Sequence, residues 1–283
     1  MNLPNFSNEQ DKKIVEKTLS LKNLKYETHK YFTDGASSRV ILLNNEYLIK
    51  QNSALALKAE VEFLKRVATI PKISDYFQKI VYVEPEYNFV VYSFINGNVM
   101  KSPENPKKVV SSLLDITSNL PTYEKEGFGY LGEETKTWID FLKEEIKYSS
   151  ENVPENICEN SFVYKAAENL EKYKFTKKLL HGDFGTHNFI EVDGNFVGVI
   201  DPMPVAGDSL YDLLFGICSN VKLLSSLSLE ELLNITNDPK ERIKNLLIVV
   251  LYSRISRCLK YHPKDLNIYL NYINKLYNKS IDL

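Results

Sequence analysis

The chain has 283 residues, 43% of them hydrophobic and 25% charged, and its 35 Lys plus Arg nearly cancel its 37 Asp plus Glu to leave a formal net charge of -2. That suits a soluble globular protein with one large domain or two lobes, and it excludes the strong basic field of a nucleic-acid binder or of a protein held on an anionic membrane. The segment Met1 to Gln10 lacks the basic and apolar regions of a secretory signal, and the longest apolar run, Leu246 to Tyr252, is too short to span a bilayer, so a cytoplasmic location is expected. Cys158, Cys218 and Cys258 are widely spaced and odd in number, which fits free thiols rather than a disulfide framework or a zinc motif.

In chain order, Tyr26 to Phe32, Val40 to Leu43, Tyr47 to Ile49, Ile80 to Val83 and Phe89 to Phe94 are short apolar or β-branched runs between turns, and they predict strands of an antiparallel sheet. One helix interrupts them over Ala54 to Ala68, where Leu57, Val61 and Leu64 recur at helical spacing. From Asn98 onward the pattern turns helical, near Lys107 to Leu120, Thr135 to Lys147, Phe162 to Tyr173, Ser209 to Leu224, Pro239 to Leu259 and Lys264 to Tyr277. Only the Asp183 to Asp201 region is expected to break that run with strands. The consequence is an α+β chain: a small β-rich lobe over residues 1–95 and a larger, mainly helical lobe over 96–283, joined around Ser93-Phe94-Ile95-Asn96-Gly97.

The most informative stretch is His181-Gly182-Asp183-Phe184-Gly185-Thr186-His187-Asn188, followed by the run Val197-Gly198-Val199-Ile200-Asp201. The turn Asp193-Gly194-Asn195 predicts a hairpin that brings Asp183, Asn188 and Asp201 to one side. A carboxylate that accepts the proton of an attacking hydroxyl, beside an Asn and an Asp that offer oxygens to Mg²⁺, is the layout of metal-assisted phosphoryl transfer. Upstream, Asp34-Gly35-Ala36-Ser37-Ser38-Arg39 lies between two strand candidates, where Gly35, Ser37 and Ser38 would let backbone amides approach phosphate oxygens. Lys50 ends a strand and Glu60 lies on the next helix. Each alone reads as a solvated charge, but their order ahead of Asp183 points to an ion pair that holds a phosphate-binding lysine.

With these motifs the chain resembles the aminoglycoside phosphotransferase-type small-molecule kinases, a branch of the protein-kinase-like fold that includes choline, fructosamine and methylthioribose kinases. The resemblance covers nearly the whole chain, most diffusely in its C-terminal helices, and rests chiefly on His181-Gly182-Asp183 with Asn188, on Val199-Ile200-Asp201 and on Gly207-Asp208-Ser209-Leu210-Tyr211-Asp212-Leu213. It implies a two-lobed kinase-like fold and Mg²⁺-dependent transfer of the γ-phosphoryl of ATP or GTP to an alcohol by a monomer or dimer. Asp183 would be the catalytic base, Asn188 and Asp201 the metal ligands, and Lys50 with Glu60 the nucleotide ion pair. Ser37 would sit in the phosphate loop, and the backbone of Ser93, Phe94 and Ile95 would meet the purine. Asp212 would brace the catalytic loop through backbone hydrogen bonds, with His181 in a similar supporting role. The acceptor implied first is an aminoglycoside-type antibiotic, with a role in resistance. A metabolic acceptor such as choline, homoserine or a sugar is the alternative, and a non-catalytic nucleotide-binding protein of the same fold is a third reading.

Asp201 precedes Pro202-Met203-Pro204 rather than Phe-Gly, which removes the basis for an activation-loop switch. His187 is expected to hydrogen-bond rather than catalyse, since Asp183 already fills the base position. Gly127-Phe128-Gly129-Tyr130-Leu131-Gly132 matches a dinucleotide pattern, but no strand precedes it and no βαβ unit surrounds it. Asp208 with Asp212 mimics a glycosidase carboxylate pair, though the helix-start setting favours a cap and a brace. Trp138 reads as a core anchor. Glu133, Glu134, Glu144, Glu145, Glu230 and Glu231 could meet a polycationic acceptor, but interleaved lysines favour a solvated mixed-charge surface.

Overall fold

Asn8 opens the chain's first helix by accepting from the amide of Asp11, and the apolar stripe Ile14, Val15 and Leu19 then closes onto a sheet. In a computed structural model, which describes residues 6–32 and 38–281, the chain divides into two compact units, Met1–Asn96 and Gly97–Leu283.

The first unit contains α1 (Glu9–Lys22), β1 (His29–Phe32), β2 (Arg39–Leu43), β3 (Tyr47–Gln51), α2 (Ala54–Val67), β4 (Ile80–Val83) and β5 (Val90–Ser93). Its antiparallel sheet runs β1-β2-β3-β5-β4. The register places Ile41 opposite Ile49 and Ile49 opposite Val91, so one face is continuous and apolar, and α1 packs there. Sequence periodicity missed α1 because charged residues outnumber its three core positions. Ser53 caps α2, which buries Leu57, Val61 and Leu64 as its spacing predicts.

The second unit contains β6 (Asn98–Val99), α3 (Pro106–Ser118), β7 (Gly129–Tyr130), α4 (Trp138–Ser150), α5 (Asn160–Glu168), β8 (Lys178–Leu180), β9 (Phe189–Val192), β10 (Asn195–Val199), β11 (Val205–Gly207), α6 (Ser209–Cys218), α7 (Val221–Ser225), α8 (Leu229–Leu233), α9 (Lys240–Tyr261) and α10 (Leu266–Ile281). The helices carry the core, with α9 buried along most of its length and packed against α4, α5, α6 and α10. Two small sheets, β10-β9-β6 and β7-β11-β8, are set among them. The expectation of strands only between Asp183 and Asp201 is therefore corrected: β6, β7, β8 and β11 have two or three residues each, too few to show alternation. The single helix expected over Ser209 to Leu224 is two, because Asn220 leaves helical geometry to cap α7 by accepting from the amide of Lys222. Trp138 is buried and stacks on Phe141, and the Gly127–Gly132 stretch contributes β7, paired with β11, not the opening of a βαβ unit. The three cysteines are buried free thiols. Among the described residues no helix is long and apolar enough to cross a membrane.

Candidate functional site

β9 and β10 form the hairpin foreseen in the sequence. Asp193 and Gly194 both take positive φ, 49° and 72°, as a two-residue turn between right-twisted strands requires. Phe189 pairs with Val199, and one step further the amide of Ile200 donates to the carbonyl of Asn188 at 2.9 Å. Asn188 and Asp201 therefore emerge together at the end of the hairpin away from the turn. Asp201 itself has φ 60°, a left-handed conformation that an L-residue adopts at some cost.

Asp183 lies in the loop between β8 and β9. Its Oδ2 accepts from Nε2 of His187 at 2.8 Å and from Nδ2 of Asn188 at 3.0 Å, while Oδ1 lies 3.7 Å from the Arg257 guanidinium. For His187 to donate, Nε2 must carry the proton, an assignment made from the partner oxygen. Burial pushes the Asp183 carboxyl upward, but the hydrogen bond and charge of His187, followed by Arg257, outweigh it and hold the group well below the usual carboxylate range. Sequence reading identified Asp183 and expected His187 to hydrogen-bond, and it missed Arg257. That residue stands on α9, far along the chain, in a helical pattern that gives no sign of which loop it faces.

The loop is held from beneath. Asp212, fully buried on α6, accepts from the amides of His181 at 2.6 Å and Gly182 at 3.1 Å. Burial without a facing cation pushes its carboxyl up to about 7 in spite of those two donors. His181 is equally buried. Burial drives its imidazole down to about 4, so it is neutral near pH 7, and Nε2 is the donor to the Ile200 carbonyl 3.0 Å away. Gly182 has φ 82°, and a Cβ there would stand 1.8 Å from the Met203 carbonyl oxygen, so the loop closes only around glycine. Asp208 caps α6 and pairs with Arg242 at 2.6 Å, which makes it a brace and not half of a carboxylate dyad.

In the first unit, Lys50 is 5% exposed and its Nζ lies 2.8 Å from Oε2 of Glu60, itself 2% exposed. The sequence order pointed to this ion pair; its burial was not foreseen. The Ser93 amide donates to the Lys79 carbonyl, its own carbonyl accepts from Gln78, and the Phe94 amide donates to Glu46. Among the described residues the backbone groups of Ile95 take no partner. Ser38 immediately precedes β2; Gly35 and Ser37 lie outside the described residues.

The oxygens suit a hard cation. Among the described residues no three His, Cys, Asp or Glu side chains converge as a metal cage. Mg²⁺ needs none, because it takes one or two protein oxygens and completes its shell with phosphate and water. Asn188, 5% exposed, spends its amide hydrogens on the Asp183 carbonyl and carboxylate, which leaves Oδ1 as an acceptor, and Asp201 supplies an exposed carboxylate.

An antiparallel sheet unit followed by a helical unit bearing the hairpin is the arrangement of the protein-kinase-like fold. Several solved structures share this fold with the chain over nearly its whole length. A thermostable mutant of aminoglycoside phosphotransferase APH(4)-Ia, in ternary complex with AMP-PNP and hygromycin B, is 16% identical, with a TM-score of 0.62 over 94% of this chain and 98% of the other. A GDP complex of an aminoglycoside 2'-phosphotransferase-IIIa mutant is 15% identical, with a TM-score of 0.58 over 97% and 98%. ADP-bound APH(2'')-Ib is 18% identical, with a TM-score of 0.52 over 94% and 99%. No protein-family model matches the sequence, and no curated protein matches it. At these identities the likeness establishes the fold.

Proposed function

We propose that the protein is a Mg²⁺-dependent small-molecule kinase that transfers the γ-phosphoryl group of ATP or GTP to an alcohol. The observation that carries this reading is the Asp183 carboxylate hydrogen-bonded to Asn188, which the hairpin register brings to the same strand end as Asp201. The structural neighbours, crystallised with AMP-PNP, ADP or GDP, support a purine nucleotide as donor. In the reaction the acceptor oxygen forms a bond to the γ-phosphorus, the bond to the β-phosphate bridging oxygen breaks with its electrons, and the hydroxyl proton passes to Asp183. With Oδ2 occupied by His187 and Asn188, Oδ1 is the oxygen left to meet that hydroxyl. A carboxylate held so acidic is a weak base toward an unreacted alcohol. Asp183 therefore acts first by orientation and receives the proton late, as the attacking oxygen gives up electron density. Lys50, held by Glu60, binds the nucleotide phosphates, and the backbone groups of Ile95 meet the purine. Mg²⁺, on Asn188 and Asp201, would neutralise charge developing on the phosphates.

An aminoglycoside acceptor is supported by the hygromycin B bound to one neighbour. Among the metabolic acceptors, the cationic lining of a cavity beside the catalytic loop favours homoserine, which carries a carboxylate, over the cation choline. The test is nucleotide turnover with Mg-ATP and Mg-GTP against aminoglycosides, choline, homoserine and sugars. Asp183→Ala should cut acceptor-dependent turnover by at least about 10²-fold, with nucleotide affinity nearly unchanged. Undiminished turnover in that variant would remove the assignment.

A further inference from the structure

A cavity of about 750 Å³ lies wholly within the helical unit, and Thr186 and His187 of the catalytic loop form part of its wall. Its charged lining is one-sided: Lys101, Lys222, Arg254, Arg257 and Lys260 face a single carboxylate, Asp265. Arg257 is engaged, since it stands 3.7 Å from Asp183 and 5.0 Å over the ring of Phe215, and Lys260 lies 5.1 Å over the ring of Tyr261. Among the described residues none of Lys101, Lys222, Arg254 and Lys260 has a carboxylate oxygen within 4.0 Å.

Arg254 is the informative member. It is 6% exposed, one terminal nitrogen donates to the Ser219 carbonyl at 3.0 Å, and its buried Nε meets no acceptor. Near it are Cys218, whose thiol burial pushes up to about 12, and Cys258, raised for the same reason, so both are neutral and neither serves as counter-ion. A buried guanidinium served only by neutral groups carries a desolvation penalty of several kcal/mol, which an incoming anion would offset. Guanidinium also matches carboxylate and phosphate in geometry.

The acidic residues considered for a polycationic acceptor stand outside the cavity lining, Glu145 among them although its carboxylate feels the charge of Arg257. Glu231 caps α8 and pairs with Lys107, Glu134 accepts from the Gly132 amide, Glu145 accepts from Tyr130, and none of Glu133, Glu134, Glu144, Glu145, Glu230 or Glu231 lines the cavity. Resting on the kinase reading above, we infer that the acceptor is an anionic alcohol. Its carboxylate or phosphate is held by Arg254 with Lys101 and Lys222, and its hydroxyl is presented to Asp183. Polycationic acceptors are rejected by the same charges.

The experiment is calorimetric titration of the full chain, without nucleotide, with four probes: glycerol 3-phosphate, D-glycerate, glycerol and hygromycin B. The expected result is that at least one anionic probe binds at least 10-fold more tightly than glycerol and more tightly than hygromycin B, whichever of the two anions is preferred identifying the headgroup. Lys222→Glu, an exposed position, should weaken that binding at least 10-fold, and Arg254→Met should do the same. Neither anion outbinding glycerol, hygromycin B binding more tightly than both, or an affinity untouched by both substitutions would overturn the inference. These titrations need no turnover, so they fail independently of the kinase reading, which falls instead if Asp183→Ala retains full activity or if neither Mg-ATP nor Mg-GTP binds.

Discussion

Arg242 and Arg254 stand on the same helix, α9, and are buried to the same degree, yet their surroundings are opposite. Arg242 holds two carboxylates on its guanidinium, Asp208 at 2.6 Å and Asp238 one turn back. Arg254 has a neutral carbonyl and an Nε without an acceptor. The first half of α9 therefore uses its cation to tie α6 into the unit, while the second half keeps a cation in reserve beside the loop that carries His187. Burial alone does not separate structural from functional charge; the identity of the partner does.

The largest effect should come from breaking the paired cation. Arg242→Met leaves Asp208 buried without its counter-ion, and a loss of about 3–5 kcal/mol is expected in urea unfolding. A loss under about 1 kcal/mol would erase the contrast between the two arginines. Next come His181 and Asp212, whose shifts are opposite in sign. An imidazole lowered to about 4 gives stability that is present above its unfolded value near 6.5 and lost as pH falls through that window; a carboxyl raised to about 7 gives stability present below its unfolded value near 3.8 and lost as pH rises. The penalty of His181→Gln should therefore shrink as pH falls from 6.5 toward 4, by about 3 kcal/mol at most. That of Asp212→Asn should shrink as pH rises over nearly the same range. Unfolding midpoints every half pH unit would show whether the two trends cross, and parallel trends would refute the assignment.

The reserve cation should behave differently. Arg254→Met removes a desolvated charge but orphans the Ser219 carbonyl, so stability should change by no more than about 1 kcal/mol in either direction while anion binding is lost. Lys222→Glu, on the surface, should shift stability by less than about 0.5 kcal/mol. A large loss of stability in Arg254→Met would class that residue with Arg242 as architecture.

The hairpin was legible in the sequence because its determinants are local: period-two apolar runs, an Asp-Gly turn, and polar residues at the strand ends. The strands of the first unit and α2 were legible for the same reason. The two-residue strands and the break at Ser219 and Asn220 were not, because pairing with a distant strand, or a hydroxyl lent to the Thr186 amide, creates no periodicity. Lys50 and Glu60 occupy an intermediate position. Their spacing is compatible with solvated charges, and only the folded unit shows both buried and 2.8 Å apart.

By itself the sequence determined the order and type of the polar groups in the loop before β9 and at the open end of the hairpin, since each is fixed by neighbours a few residues away. Only the tertiary structure decided that Arg257 faces Asp183, that Asp212 holds two loop amides, and that a basic cavity lies beside His187. The physical reason is that helical periodicity states which face of α9 is buried and says nothing of what it is buried against. The charge balance that selects a ligand arises from elements far apart in the chain.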